Sequence, residues 1–391
     1  MLALWILCSV LCLVAFFHNN RIVFKFGRNT ISFNLIISAI MCFIIILLMT
    51  ANRTGYDADA YTRFFNLVKS TKMNPYDYTY DAFYRVELCI LPFYPKLTYP
   101  EFHALLLLVT GLFCVYPVIK KYSVDPAVVL SLYVLSGTFA ADGMQSKNFV
   151  AVCILVATFY FYSDYDKKKW HIFAYYICLF LAMLFHFSFA IYVFLPVTKT
   201  NRFRKYGRIF PVIGGMLYFI FLYGGGFTTA IVTYISRIQF LSKAENYGMG
   251  RAGIRSLVPF TIYFAILTAL YYFTGEKRNQ ALFRTVESDE KRKNLASIAM
   301  DVRYIWELMG LFLPVLIYAN ATYRFYRNLY IPVFIVITNS VLSIKNKNRR
   351  KIGIILLLGV AFAIFIYPIL LRQHIDIYES ILKGYWFWQE G

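Results

Sequence analysis

Long uncharged stretches recur along the whole chain, and few folds can accommodate them. A membrane-spanning helix needs roughly 20 mostly apolar residues at about 1.5 Å each. Twelve runs approach that length: 2–17, 31–50, 102–119, 124–141, 149–163, 170–185, 187–198, 208–223, 256–274, 300–318, 329–344 and 352–371. The seventh is short enough to be a broken or re-entrant helix, and Pro196 is expected to end it. Only 15% of the 391 residues are charged and mean hydropathy is +0.57, against about 25% charged in a soluble domain. A soluble enzyme, a disordered tail and a nucleic-acid-binding module are excluded. The expected class is an all-α polytopic membrane protein of about 12 transmembrane helices, residues 1–391 forming one integral membrane domain. The seven cysteines fall mostly in apolar runs without a CxxC pair, so they read as small hydrophobes.

The net charge of +20 is distributed unevenly. Loops 18–30, 120–123, 164–169, 199–208, 275–294 and 345–351 hold 24 of the 40 Lys and Arg, and the alternate loops hold 15. Excess Lys and Arg mark the cytoplasmic side, which puts both termini outside. The two long loops, 51–101 and 224–255, are then extracytoplasmic. Each carries an amphipathic stretch: Tyr61, Phe64, Phe65 and Val68 share one helical face, as do Ile231, Tyr234, Ile235 and Ile238. Both read as helices lying on the outer membrane surface or packing over the bundle. No internal repeat is visible, which counts against a secondary transporter.

That topology gathers polar groups on the outer side. Arg53, Asp57 and Tyr61 follow the second run; Arg85 and Glu87 come later in the same loop. Lys147 opens the fifth run and His186 closes the sixth. Arg251 and Arg255 end the second long loop, and Tyr323, Arg324, Arg327 and Tyr330 surround the eleventh run's start. Basic residues at helix ends often only snorkel to headgroups. Arg53, Arg324 and Arg327 instead sit in compact polar clusters with Tyr, Asp or Asn. Outer positive charge opposes the usual bias, and a membrane-bound anion would offset that cost. The Arg fork holds phosphate oxygens at two points, so a diphosphate on a polyprenyl lipid fits.

Two motifs are decoys. Gly248-Met-Gly250-Arg251-Ala-Gly253 has the dinucleotide spacing but lacks the preceding strand and βαβ unit. Asp57-Ala-Asp59 matches a metal-binding DxD only over three residues. No metal or other cofactor is expected.

In order, Arg53-Thr-Gly55-Tyr-Asp57 with Tyr61, then Lys147-Asn-Phe-Val-Ala151, Phe185-His186-Phe187-Ser188 and Arg327-Asn-Leu-Tyr330 resemble the EpsG/Wzy-type polysaccharide polymerases of bacterial envelopes. The likeness covers roughly residues 30–345, and its specificity comes from the order of short motifs. That family usually has Arg where Lys147 stands. The resemblance implies a glycosyltransferase that joins polyprenyl-diphosphate-linked oligosaccharide units on the outer face of the bacterial inner membrane. Donor and acceptor are both lipid-linked glycans, membrane lipid surrounds them, and a chain-length regulator is a possible protein partner that the sequence does not decide.

The expected chemistry is metal-independent: an acceptor hydroxyl attacks the anomeric carbon and lipid diphosphate leaves. Arg53, Arg324 and Arg327 would stabilise the leaving charge, with Lys147, Arg251 and Arg255 in support. Asp57 is the first candidate for the base, with His186 and Glu87 as rivals; Arg85 with Glu87 is otherwise a structural pair. Tyr61, Tyr323 and Tyr330 are expected to support the site. A flippase is the alternative from another class, and would place charges such as Asp301, Arg303 and Glu307 along a path. A glycan ligase would use the same donor.

Overall fold

A computed structural model describes residues 2–17, 23–26, 29–51, 56–71, 86, 89–91, 93–163, 170–224, 256–274, 289–317 and 323–370. The chain divides into two compact units, one of residues 1–190 with 341–391 and the other of 191–340. Each of the twelve apolar runs overlaps a helix among the described residues. By length and composition, Phe33–Thr50 and Tyr99–Tyr122 can cross a membrane, and the bent pair Pro126–Leu135 and Thr138–Met144 would make a third. One short antiparallel pair accompanies the helices. Val23–Phe26 (β1) and Asn29–Ser32 (β2) pair antiparallel, so the two four-residue segments satisfy each other's backbone groups.

In the first unit the early helices are α1 (Leu2–Phe17), α2 (Phe33–Thr50), α3 (Tyr56–Thr71) and α4 (Tyr99–Tyr122). Ser32 caps α2 by accepting from the Leu35 amide at 3.3 Å. α4 widens into a π-turn at Gly111–Val115. Pro117 has no N–H to donate, and a wide turn absorbs the missing bond. Gly111 also leaves room for α2, since a Cβ there would lie 2.7 Å from Ile46 Cδ1.

The fourth apolar run is a broken helix. α5 (Pro126–Leu135) and α6 (Thr138–Met144) meet at 71°, and Gly137 takes φ 68°, a conformation that costs glycine little. Tyr133 donates to Asp142 at 2.7 Å across the bend. Asp125 caps α5, and the Asn34 amide of α2 donates to its second oxygen. The unit continues through α7 (Ser146–Tyr162) and α8 (Trp170–Phe185) and takes in α15 (Lys347–Leu370) near the end of the chain.

Phe187–Lys199 is a 3₁₀-helix of 13 residues that runs through Pro196 instead of ending there. At about 2.0 Å per residue this winding reaches roughly 26 Å, against about 20 Å for an α-helix of equal length. A short apolar run thereby gains reach. The second unit then holds α9 (Asn201–Tyr206), α10 (Ile209–Tyr223), α11 (Leu257–Thr274) and α12 (Asp289–Met309). α12 absorbs Asp289 to Lys293, which the sequence reads as loop, and continues as a 3₁₀ segment, Gly310–Ile317. α13 (Arg324–Arg327) and α14 (Tyr330–Leu342) follow. α10 and the 3₁₀ segment touch backbone to backbone: a Cβ on Gly214 would lie 1.8 Å from the Gly310 carbonyl oxygen.

Candidate functional site

The amphipathic helix of the first long loop is α3, and it packs on the bundle. Phe65 and Val68 are buried with Leu91, Leu97, Tyr99 and Phe102. Tyr61 lies 6.4 Å from the Tyr99 ring. Tyr99 stacks on His103 at 5.8 Å and 8°, and His103 Nε2 is 2.7 Å from Ser146 Oγ. Lys147, next in the chain, is half-buried in the first turn of α7. Phe185 packs against the same aromatic cluster and is followed by His186. Hydrophobic burial of one face of α3 thus packs Tyr61 against Tyr99 and Phe185 against the same cluster.

His186 is half-buried, with Nδ1 2.6 Å from Ser188 Oγ. Two tautomers satisfy that pair, and they have opposite chemistry. If Nδ1 donates to Ser188, Nε2 keeps a lone pair and can accept a proton. If Ser188 donates, Nε2 carries the proton and can only donate a hydrogen bond. Asp57 lies in the first turn of α3, and its side chain is outside the described residues, as are Arg53, Arg85, Glu87, Arg251 and Arg255. The face expected at Ile231 to Ile238 is outside them too.

The second unit carries the Arg turn. α13 is a single turn with Arg324 at its start and Arg327 at its end. Arg327 is 4% exposed. Its Nη1 donates to Tyr323 Oη at 3.0 Å, and its guanidinium lies 5.4 Å from the centre of that ring. Arg324 is half-buried. Two buried tyrosines hold the turn. Tyr192, from the 3₁₀-helix, donates to the Phe325 carbonyl at 2.7 Å. Tyr326 donates to the Met309 carbonyl at 3.1 Å. Burial pushes the Tyr326 hydroxyl well above the usual phenol range, with Tyr192 adding to the shift, so it stays a neutral donor. Tyr330 is buried beside Trp306 and Phe334, so its ring fills the core behind the turn.

Several of these residues escape sequence reasoning. His103 and Ser146 are lone polar groups at the ends of apolar helices. Tyr192 and its acceptor are 133 residues apart, and no spacing rule connects them. Lys199, counted among the orienting cations, is buried and bonds Asp301 at 2.6 Å. The mid-helix charges of α12 are likewise engaged. Arg303 Nε lies 3.5 Å from Glu307 Oε1, and Arg303 packs over Tyr304 at 4.7 Å. A Cβ on Gly207 would lie 2.6 Å from Glu307 Oε2, so glycine is what lets α9's end approach that carboxylate.

The described residues thus include a cation-rich turn held by buried tyrosines and apolar helices long enough to cross a membrane. No curated protein and no solved structure matches the chain. The sequence profile of the EpsG family matches residues 35–383, a span that takes in both units and every candidate side chain named above. The chain belongs to the EpsG family.

Proposed function

We propose that this protein is a polysaccharide polymerase that joins polyprenyl-diphosphate-linked oligosaccharide units at the outer face of the bacterial cytoplasmic membrane. Membership of the EpsG family supports a polymerase-type glycosyltransferase. The single observation that carries the finer reading is the Arg324–Arg327 turn, where a nearly buried guanidinium donates to the Tyr323 hydroxyl and Tyr192 bonds the Phe325 carbonyl. A phosphate oxygen would replace the Tyr323 hydroxyl as acceptor and form the stronger, charge-assisted bond. As the glycosidic bond to diphosphate breaks, negative charge accumulates on the leaving oxygens, and a preorganised donor lowers that barrier without reorganising.

In the proposed reaction the acceptor hydroxyl forms the new bond at the anomeric carbon. Its proton goes to a base, Asp57 or His186, and the electron pair of the broken bond leaves on lipid diphosphate. Arg53, Arg251, Arg255 and Lys147 are proposed to hold the two lipid diphosphates. Tyr61 and Tyr323 are proposed to support them, and Glu87 with Arg85 remains a rival base or a structural pair. A chain-length regulator is the proposed partner. The flippase alternative has less support, because Lys199 pairs with Asp301 and Arg303 with Glu307. A ligase would share this chemistry and differ in its acceptor.

The test is reconstitution of the full chain in proteoliposomes with lipid-linked repeat units and no ion gradient. A ladder of longer lipid-linked glycans is expected. Arg327→Ala should lose about 10²–10³-fold in turnover, the loss typical of one preorganised donor, while still inserting. Full polymer formation by that variant refutes the assignment of the turn.

A further inference from the structure

We propose that Tyr192 is a positioning residue for the Arg324–Arg327 turn, holding its backbone so that both arginines present a fixed fork. The proposal rests on the polymerase reading of that turn and names the group that orders it. α13 is four residues long, and a lone helical turn in isolation does not form, because its nucleus costs more than its first hydrogen bond returns. Its geometry must come from outside. The Phe325 carbonyl lies between the two arginines, and Tyr192 Oη donates to it at 2.7 Å. Tyr192 is 0% exposed, so that bond does not compete with water. From the other direction Tyr326 fixes the turn to the end of α12 through Met309. The turn is therefore tied at two points, and the Tyr192 bond is made to a backbone carbonyl between the arginines.

A phenylalanine at 192 keeps the ring and its packing and removes only the oxygen. The turn keeps its charge and loses one restraint on where that charge points. Misplacement of a catalytic group by about 1 Å costs on the order of 10²-fold in rate. A group that acts only as the reaction proceeds lowers turnover and leaves substrate binding largely unchanged.

The experiment compares wild-type protein, Tyr192→Phe, Arg327→Lys, the double variant and Arg327→Ala in proteoliposomes with lipid-linked repeat units. Tyr122→Phe is the control. Its hydroxyl is equally buried and donates to the Phe159 carbonyl at 3.3 Å, within the first unit. Tyr192→Phe should lower kcat by about 10- to 100-fold with KM changed by less than about threefold, and Tyr122→Phe should stay within about threefold of wild type. In the Arg327→Lys background, where the fork is already gone, adding Tyr192→Phe should cost less than about threefold, because coupled residues do not add. A kcat for Tyr192→Phe close to wild type overturns the proposal, and so does an effect that multiplies in full with Arg327→Lys. Should Tyr192→Phe not yield folded protein, site-specific fluorotyrosine at 192 keeps the shape and alters the hydroxyl's acidity. A changed kcat at constant KM then supports the assignment, and an unchanged one overturns it. Failure of the polymerase reading is separately visible, as full activity of Arg327→Ala or no polymer from wild type.

Discussion

Asp301→Asn should destabilise the second unit more than any exposed charge change in this chain. Lys199 Nζ lies 2.6 Å from Asp301 Oδ1, with the two side chains 4% and 5% exposed. At that distance, with an effective dielectric constant near 20, the attraction is about 6 kcal/mol. Withdrawing the two ions from water costs several kcal/mol each, so the intact pair is close to neutral for stability. Removing only the carboxylate charge leaves the desolvated ammonium without its compensation. The expected loss is about 3–5 kcal/mol, and the double variant Lys199→Met with Asp301→Leu should return to within about 1 kcal/mol of wild type or exceed it. Thermal or denaturant unfolding of the purified protein in detergent, read by tryptophan fluorescence, measures all three variants; Trp306 lies 1% exposed in the same unit. The reasoning is refuted if Asp301→Asn costs less than about 1 kcal/mol, as expected of a solvated surface pair, or if the double variant is as unstable as the single one.

Two further outcomes follow from the same geometry. Gly214→Ala forces a methyl group into a space where the nearest atom, the Gly310 carbonyl oxygen, would be 1.8 Å away. Backbone cannot rotate aside as a side chain can, so α10 and the 3₁₀ segment must part, at a cost of about 3 kcal/mol or more; a normal yield and melting profile would contradict this close approach. Lys147→Arg adds a planar fork at the half-buried start of α7. It should hold or lower the KM for lipid-linked substrate in the polymerisation assay, and a loss of activity would remove Lys147 from the diphosphate contacts.

Much of the helical plan was legible because the bilayer imposes a one-dimensional rule. A run of apolar residues long enough to span must be helical to satisfy its own backbone, and Leu2–Phe17 and Trp170–Phe185 begin and end where that rule places them. Residue order also carried the family, since short motifs at Arg53, Lys147, His186 and Arg327 fall within the matched span. The rule does not specify how a helix is wound or broken. The sharp bend at Gly137 needs its positive φ, and the seventh run passes through Pro196 by adopting 3₁₀ winding.

By itself, then, the sequence determined which segments are apolar helices, where basic charge accumulates, and which family the chain joins. The tertiary structure alone decided what the polar residues within those helices do. Lys199 reads as one more loop cation until Asp301, 102 residues away, is found against it. Tyr192 reads as one more apolar-run aromatic until its hydroxyl is found on the peptide between Arg324 and Arg327. The reason is physical. Apolar burial depends on composition over a window and can be summed along the chain. A hydrogen bond or ion pair depends on the distance between two specific atoms, and the packing of helices far apart in sequence sets that distance.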